Sequence, residues 1–230
     1  TGAVGAIDEL GSFTSNAGGS TVINGGQVST TETQTYNDAV TVGTIATLFD
    51  SDSSGALGNI AFESTLGGGV DVTVNTAGTT TFTGTVGVTS AMLTSLTTDA
   101  AGTTAINGGL VATTVNQTYG DNVVLNSGTD TTTLTGVDMS FGGTVTSATD
   151  AEDALIVTGS GTTTFSGAVG GGTGTLFSLS SNGGGTTAIN GGSVETDIVA
   201  SGDQTYDDSV TIGANTTLTG NDITFNSTLD

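Results

Sequence analysis

Apolar residues alternate with threonine, serine and asparagine in short bursts along the whole chain. Gln34-Thr-Tyr36 and Thr79-Thr-Thr-Phe82 are typical, and the bursts close on Gly, Asn or Asp. Period-two alternation rich in Thr and Val predicts β-strands, and nowhere do helix-forming residues gather into a 3.6-residue stripe. Proline, which would remove a donor from a strand ladder, is absent. The predicted elements are therefore short strands joined by tight corners, from one end of the chain to the other.

The bursts recur. GGSTVINGGQV, AGTTAINGGLV and GGTTAINGGSV place Ile23, Ile106 and Ile189 at a constant period of 83. Phe13, Leu96 and Leu179 keep the same interval, as do Phe82 and Phe165. The phrase QTYxD begins at Gln34, Gln117 and Gln204, the last after four extra residues near DIVASGD. TLTGVDMSF and TLTGNDITF are matched in the first copy by TLFDSDSSGALGNIAF, which carries an insertion. Repetition at a fixed period decides architecture before any local reading does.

Two architectures suit this period: tandem immunoglobulin-like sandwiches, or a solenoid with several coils per repeat. Each unit divides into four phrases, anchored by INGG, QTYxDxV, TLTGxDxxF and GTTTFxGxV, giving about 20 residues per coil. The NGG corners supply residues that tolerate positive φ, and the Ala, Val, Ile and Thr positions are small for a sandwich core. The expected fold is all-β, a parallel β-helix (β-solenoid) with about four coils per repeat. Residues 1–230 are expected to form one continuous segment: a phase-shifted repeat 1–83, a second at 84–166 and an incomplete third at 167–230. Eleven or twelve coils would make a rod roughly 55 Å long. TGAVG at the start matches SGAVG at 166–170, and FNSTLD at the end matches FESTLG at 62–67. The expectation is a window on a longer array, or a unit whose ends stack on further copies.

Phrases such as GTTTFSGAVGG and TTAINGGSV resemble the repeat regions of large exported bacterial adhesins, including filamentous-haemagglutinin-like and autotransporter-passenger proteins. The resemblance covers essentially the whole chain in style and periodicity. It implies a right-handed parallel β-helix within a cell-surface or biofilm-matrix fibre. Secretion domain, anchor and receptor-binding tip, usual in that group, are not found in this segment.

Composition sharpens the functional expectations. The chain has no Lys, Arg, His, Cys, Pro or Trp, and 22 acidic residues give it a net charge of −22. Without cations it has nothing to neutralise phosphates, and anionic headgroups would repel it, so neither nucleic acid nor direct membrane insertion is expected. No apolar run reaches the length of a membrane span. Nucleophilic triads lack their base, leaving only carboxylate pairs such as Asp207 with Asp208, or Glu152 with Asp153. Neighbouring strand residues point to opposite faces, so no enzymatic activity is expected and no cofactor is required.

Calcium is the candidate ligand. Asp50, Asp52 and Ser54, followed by Gly55, resemble the opening of a calcium loop, with Glu63 two residues beyond the place of the usual bidentate ligand. Asp150, Glu152 and Asp153 form a second acidic insertion. Asp38, Asp121 and Asp208 read either as a row of cation sites along the rod or as corner residues capping local backbone N–H groups. The second reading is favoured. Tyr36, Tyr119 and Tyr206 are expected to cover one seam rather than to form a glycan-binding stripe. Asn24, Asn107 and Asn190 read as turn residues. Threonine triplets at 79–81, 131–133 and 162–164 raise ice binding but do not recur on every coil, and Asn116, Asn215 and Asn226 head glycosylation-like triplets. The expected function is a structural, non-catalytic extracellular fibre or adhesin segment. Its expected partners are flanking repeats or copies of itself, with a surface receptor or glycan as a further candidate. The alternative is a calcium-stabilised stalk or surface-layer protein of tandem β-sandwich modules.

Overall fold

The computed structural model describes residues 2–51, 58–88, 90–127, 130–199 and 202–230. Every strand pairing among them is parallel, and no helix occurs. Strands stack on three faces as a β-solenoid of about nine turns, so the solenoid expectation holds and the sandwich alternative does not. The first face begins with Phe13–Ser15 and Gln34–Tyr36, the second with Ser20–Ile23 and Ala39–Val42, the third with Gln27–Ser29 and Thr47–Asp50. The sequence step from one turn to the next varies. It is short where Thr103 registers with Asn122 and long where Gln34 registers with Ile60. At about 4.8 Å per turn the stack is roughly 43 Å long, shorter than the eleven or twelve coils expected.

The repeat holds slightly fewer than four coils. The strand containing Ile23 lies on the second face, that of Ile106 on the first and that of Ile189 on the third. Between the first two strands the chain advances by eleven faces. This count includes Val86, which bridges Leu66 and Val111 where no longer strand forms. Each face with its corner consumes seven or eight residues on average, so one repeat makes eleven faces, or three and two-thirds turns. Each repeat therefore lands one face away from the last.

The inward side chains explain the phrases. On the first face Ser15, Tyr36, Phe62, Phe82 and Ile106 form one column. On the third face the column is Thr98, Tyr119, Phe141, Phe165 and Ile189. On the second, Ser181, Tyr206 and Phe225 begin it again. Rings stack at 5.0 Å from Tyr36 to Phe62, 4.9 Å from Phe141 to Phe165 and 5.0 Å from Tyr206 to Phe225. The four phrases are thus four levels of one column. Similar apolar shapes on successive turns bury each other and leave the backbone to pair above and below.

NGG closes the corner. Gly26, Gly109 and Gly192 adopt φ of 74°, 70° and 80°, a region costly for residues with a Cβ. The glycine before each is required for another reason. A Cβ on Gly25, Gly108 or Gly191 would strike the backbone of Gly2, Gly84 or Gly167 in the turn beneath.

Candidate functional site

Among the polar groups drawn into the core, one arrangement recurs in three copies, each beside a tyrosine of the column. Asp121 Oδ1 accepts the hydroxyls of Thr98 at 3.1 Å and Thr104 at 2.9 Å. Asp38 Oδ1 accepts Ser15 Oγ at 2.7 Å and Thr21 Oγ1 at 2.8 Å. Asp208 accepts the Gly184 N–H at 2.8 Å and Ser181 Oγ at 3.4 Å, while Ser181 and Thr187 share a bond of 2.6 Å. The donors come from the preceding turn. Local backbone caps were expected, but the carboxylate turns inward and ties its corner to the turn before it. All three aspartates are buried.

Their electrostatics differ with packing. Around Asp38, where the contacts are only part-buried, the Ser15 and then the Thr21 hydroxyl hold the carboxyl below its usual range. Around Asp121 burial dominates and pushes the carboxyl up to about 6, against the opposing bonds from Thr104 and Thr98. Nearby Asp99 adds to the rise. Desolvation disfavours the charged form, and hydroxyl donors favour it.

A second buried device adjoins each cluster. Tyr36, Tyr119 and Tyr206 lie fully inside, and each hydroxyl donates to the glutamine two residues earlier at 2.9, 2.9 and 3.0 Å. The glutamine Nε2 then donates to two backbone carbonyls: Val28 and Asp50, Val111 and Thr135, or Val194 and Thr219. Burial raises all three phenols well above their ordinary range, with Asp121 contributing at Tyr119. The expected surface seam of tyrosines is therefore corrected. They occupy the core on three different faces, because the apolar ring belongs in the column and glutamine satisfies the hydroxyl. The aspartates likewise occupy three different corners, so the row reading fails on position as well as on burial.

The candidate calcium residues divide. Asp52 and Ser54 lie outside the described residues. Asp50 ends the third-face strand Thr47–Asp50, and the Glu63 carboxylate, beyond the corner, accepts the Thr83 hydroxyl at 2.9 Å. Among the described residues no three His, Cys, Asp or Glu side chains gather closely enough to hold a metal ion. In the second acidic insertion Asp153 is buried and accepts Ser127 N–H at 2.8 Å and Ser147 Oγ at 2.7 Å, whereas Glu152 is exposed. Asp208 points inward and exposed Asp207 accepts Asn226 Nδ2 at 2.7 Å. Each candidate carboxylate pair is thus split between core and solvent.

Sequence reasoning missed the hydroxyl partners Ser15, Thr98 and Ser181, and Thr21, Thr104 and Thr187. Both sets keep the period of the repeat, but small polar residues in a Thr-rich chain gave no chemical reason to single them out. The arrangement as a whole can fix corners and bind successive turns to one another. Compared with protein-family models, curated proteins and solved structures, the chain finds no match.

Proposed function

We propose that this chain is a structural, non-catalytic segment of an extracellular filament of the adhesin kind, contributing length and stiffness to a surface fibre or matrix. The observation that carries the reading is where the chain spends its polar groups. Each repeat turns the aspartate that follows its tyrosine, and one glutamine–tyrosine pair, inward to join turns, and the three copies stand on different faces. Such an arrangement serves an extended stack and concentrates no chemistry at one place. The pairing that lays Thr186–Ile189 on Thr162–Phe165 would equally lay flanking repeats or further copies end to end, which makes these the expected partners. A rod with no Lys or Arg also offers trypsin-like proteases no cleavage site, an advantage outside the cell.

Electron microscopy of the purified chain across a concentration series tests the proposal, together with antibody labelling of intact source cells. Thin rods of uniform width that lengthen end to end, and labelling without permeabilisation, are expected. Short particles that never associate, or label appearing only after lysis, would reject it.

A further inference from the structure

The corner between the first and second faces is enlarged on two consecutive turns, by the segments between Ser147 and Ala154 and between Val169 and Leu179. Beside it lies a recess of about 580 Å³, within the size range of ligand sites. The outward column of the second face runs Leu110, Thr133, Ile156, Ser180, Thr205 and Thr224, and Ile156 is its apolar member inside the recess. Half-buried Phe177 and the exposed residues Asp130 and Glu152 also line it. Asp130 and Ala151, at φ of 58° and 57°, are the only described non-glycine residues with positive φ, and both line this recess.

We propose that this recess docks a lysine- or arginine-bearing segment of a different polypeptide. A long cationic side chain has the matching anatomy: its aliphatic stem covers Ile156 and Phe177 while its charge meets Asp130 and Glu152. A cation over the Phe177 ring adds attraction. Charge complementarity also sets the partner's identity. With no Lys, Arg or His, a second copy of this chain has no cationic side chain to place there. The long-range field steers basic segments toward the rod in general, and the apolar walls select this corner.

The test is an NMR titration of the whole chain with a synthetic Gly-Lys-Ser-Gly-Lys-Ser peptide, alongside its acetyl-lysine counterpart and spermidine, at about 0.15 M salt. Expected are shifts concentrated at residues 130, 151–156 and 177–180. The paired change Asp130→Asn with Glu152→Gln should weaken peptide binding about tenfold, as loss of these charges implies, and Phe177→Ala should weaken it severalfold. The charge-matched control Asp8→Asn with Glu9→Gln, on an exposed loop elsewhere, should change it less than about twofold. Shifts spread over all three faces, an equal effect of the control, indifference to Phe177→Ala, or equally tight binding of spermidine or the acetylated peptide would each overturn the proposal.

Discussion

The hydroxyl of Tyr119 donates to Oε1 of Gln117, two residues earlier on the same strand, at 2.9 Å, and both side chains are fully buried. Through its Nε2 the glutamine also holds Val111 O at 3.2 Å within its own turn and Thr135 O at 2.9 Å in the next. The tyrosine thus contributes a ring to the column, and the glutamine seals the corner beside it.

Unequal costs follow for the two partners. Tyr119→Phe should destabilise by about 1 kcal/mol, and Gln117→Leu by about 2–3 kcal/mol, because the phenol loses its acceptor and two carbonyls each lose a donor, Thr135 O keeping the Thr113 N–H. The double variant should cost clearly less than the sum, since the two changes share one bond. Denaturant unfolding of the four proteins measures this; strict additivity would show that the pair does not act as a unit.

Two copies of the aspartate cluster should respond oppositely to pH. Asp121 keeps its proton to about 6 in the folded chain, against an ordinary value of 3.8, so the folded state binds more protons between those values. The stabilisation is complete below about pH 4 and is lost as pH rises through 6, a contribution of about 1–2 kcal/mol after allowing for partial screening. Asp38 has a lowered pKa, so its contribution is present above its ordinary value and lost as pH falls through the folded one. Asp121→Asn should therefore flatten the stability curve between pH 4 and 6, and Asp38→Asn should flatten it below 4. Melting curves across pH on both variants provide the check, and a shared response would contradict it.

The two glycines of each NGG corner fail for different reasons when replaced. Gly109→Ala should cost about 1–2 kcal/mol, the penalty of a Cβ at φ of 70°. Gly108→Ala should cost more than about 3 kcal/mol, because the methyl meets the rigid backbone of Gly84 and Thr85 rather than a movable side chain. Gly11→Ala, with open space around it, should be nearly neutral. Thermal melts of the three variants decide whether contact or conformation dominates at this corner.

Much of this architecture is legible in the residues. Alternation at Gln34–Tyr36 and Thr79–Phe82 shows strands, recurrence of Ile23 at Ile106 and Ile189 shows stacking, and INGG marks corners. What could not be read is how many faces a turn has, since that depends on where each corner bends. Four phrases per repeat suggested four coils, but Val86 and Val169 occupy faces with single bridges and announce no strand of their own. For the same reason Tyr36, Tyr119 and Tyr206 looked like one seam when they stand on three faces. The buried role of Asp121 was hidden because its partners, Thr98 and Thr104, resemble every other threonine in the chain.

The one-face advance per repeat can be measured directly, because the chain has no native cysteine. Thr35 and Thr118 are sequence equivalents one repeat apart, yet Thr35 points outward from the first face and Thr118 from the third. Thr97 and Thr118 are not equivalents but are registered neighbours on the third face. Cysteines introduced at 97 and 118 should cross-link readily with a short reagent, since parallel strands stand about 4.8 Å apart. With spin labels at 35, 118 and 205, all three pairwise distances should exceed the axial separation alone, because each pair also spans the width of the rod. Had the repeat contained four whole turns, positions 35 and 118 would share a face, and their labels would be separated only by four strand spacings, about 19 Å. A measured distance at that value would refute the three-and-two-thirds-turn repeat, and with it the account of why the tyrosine columns change face.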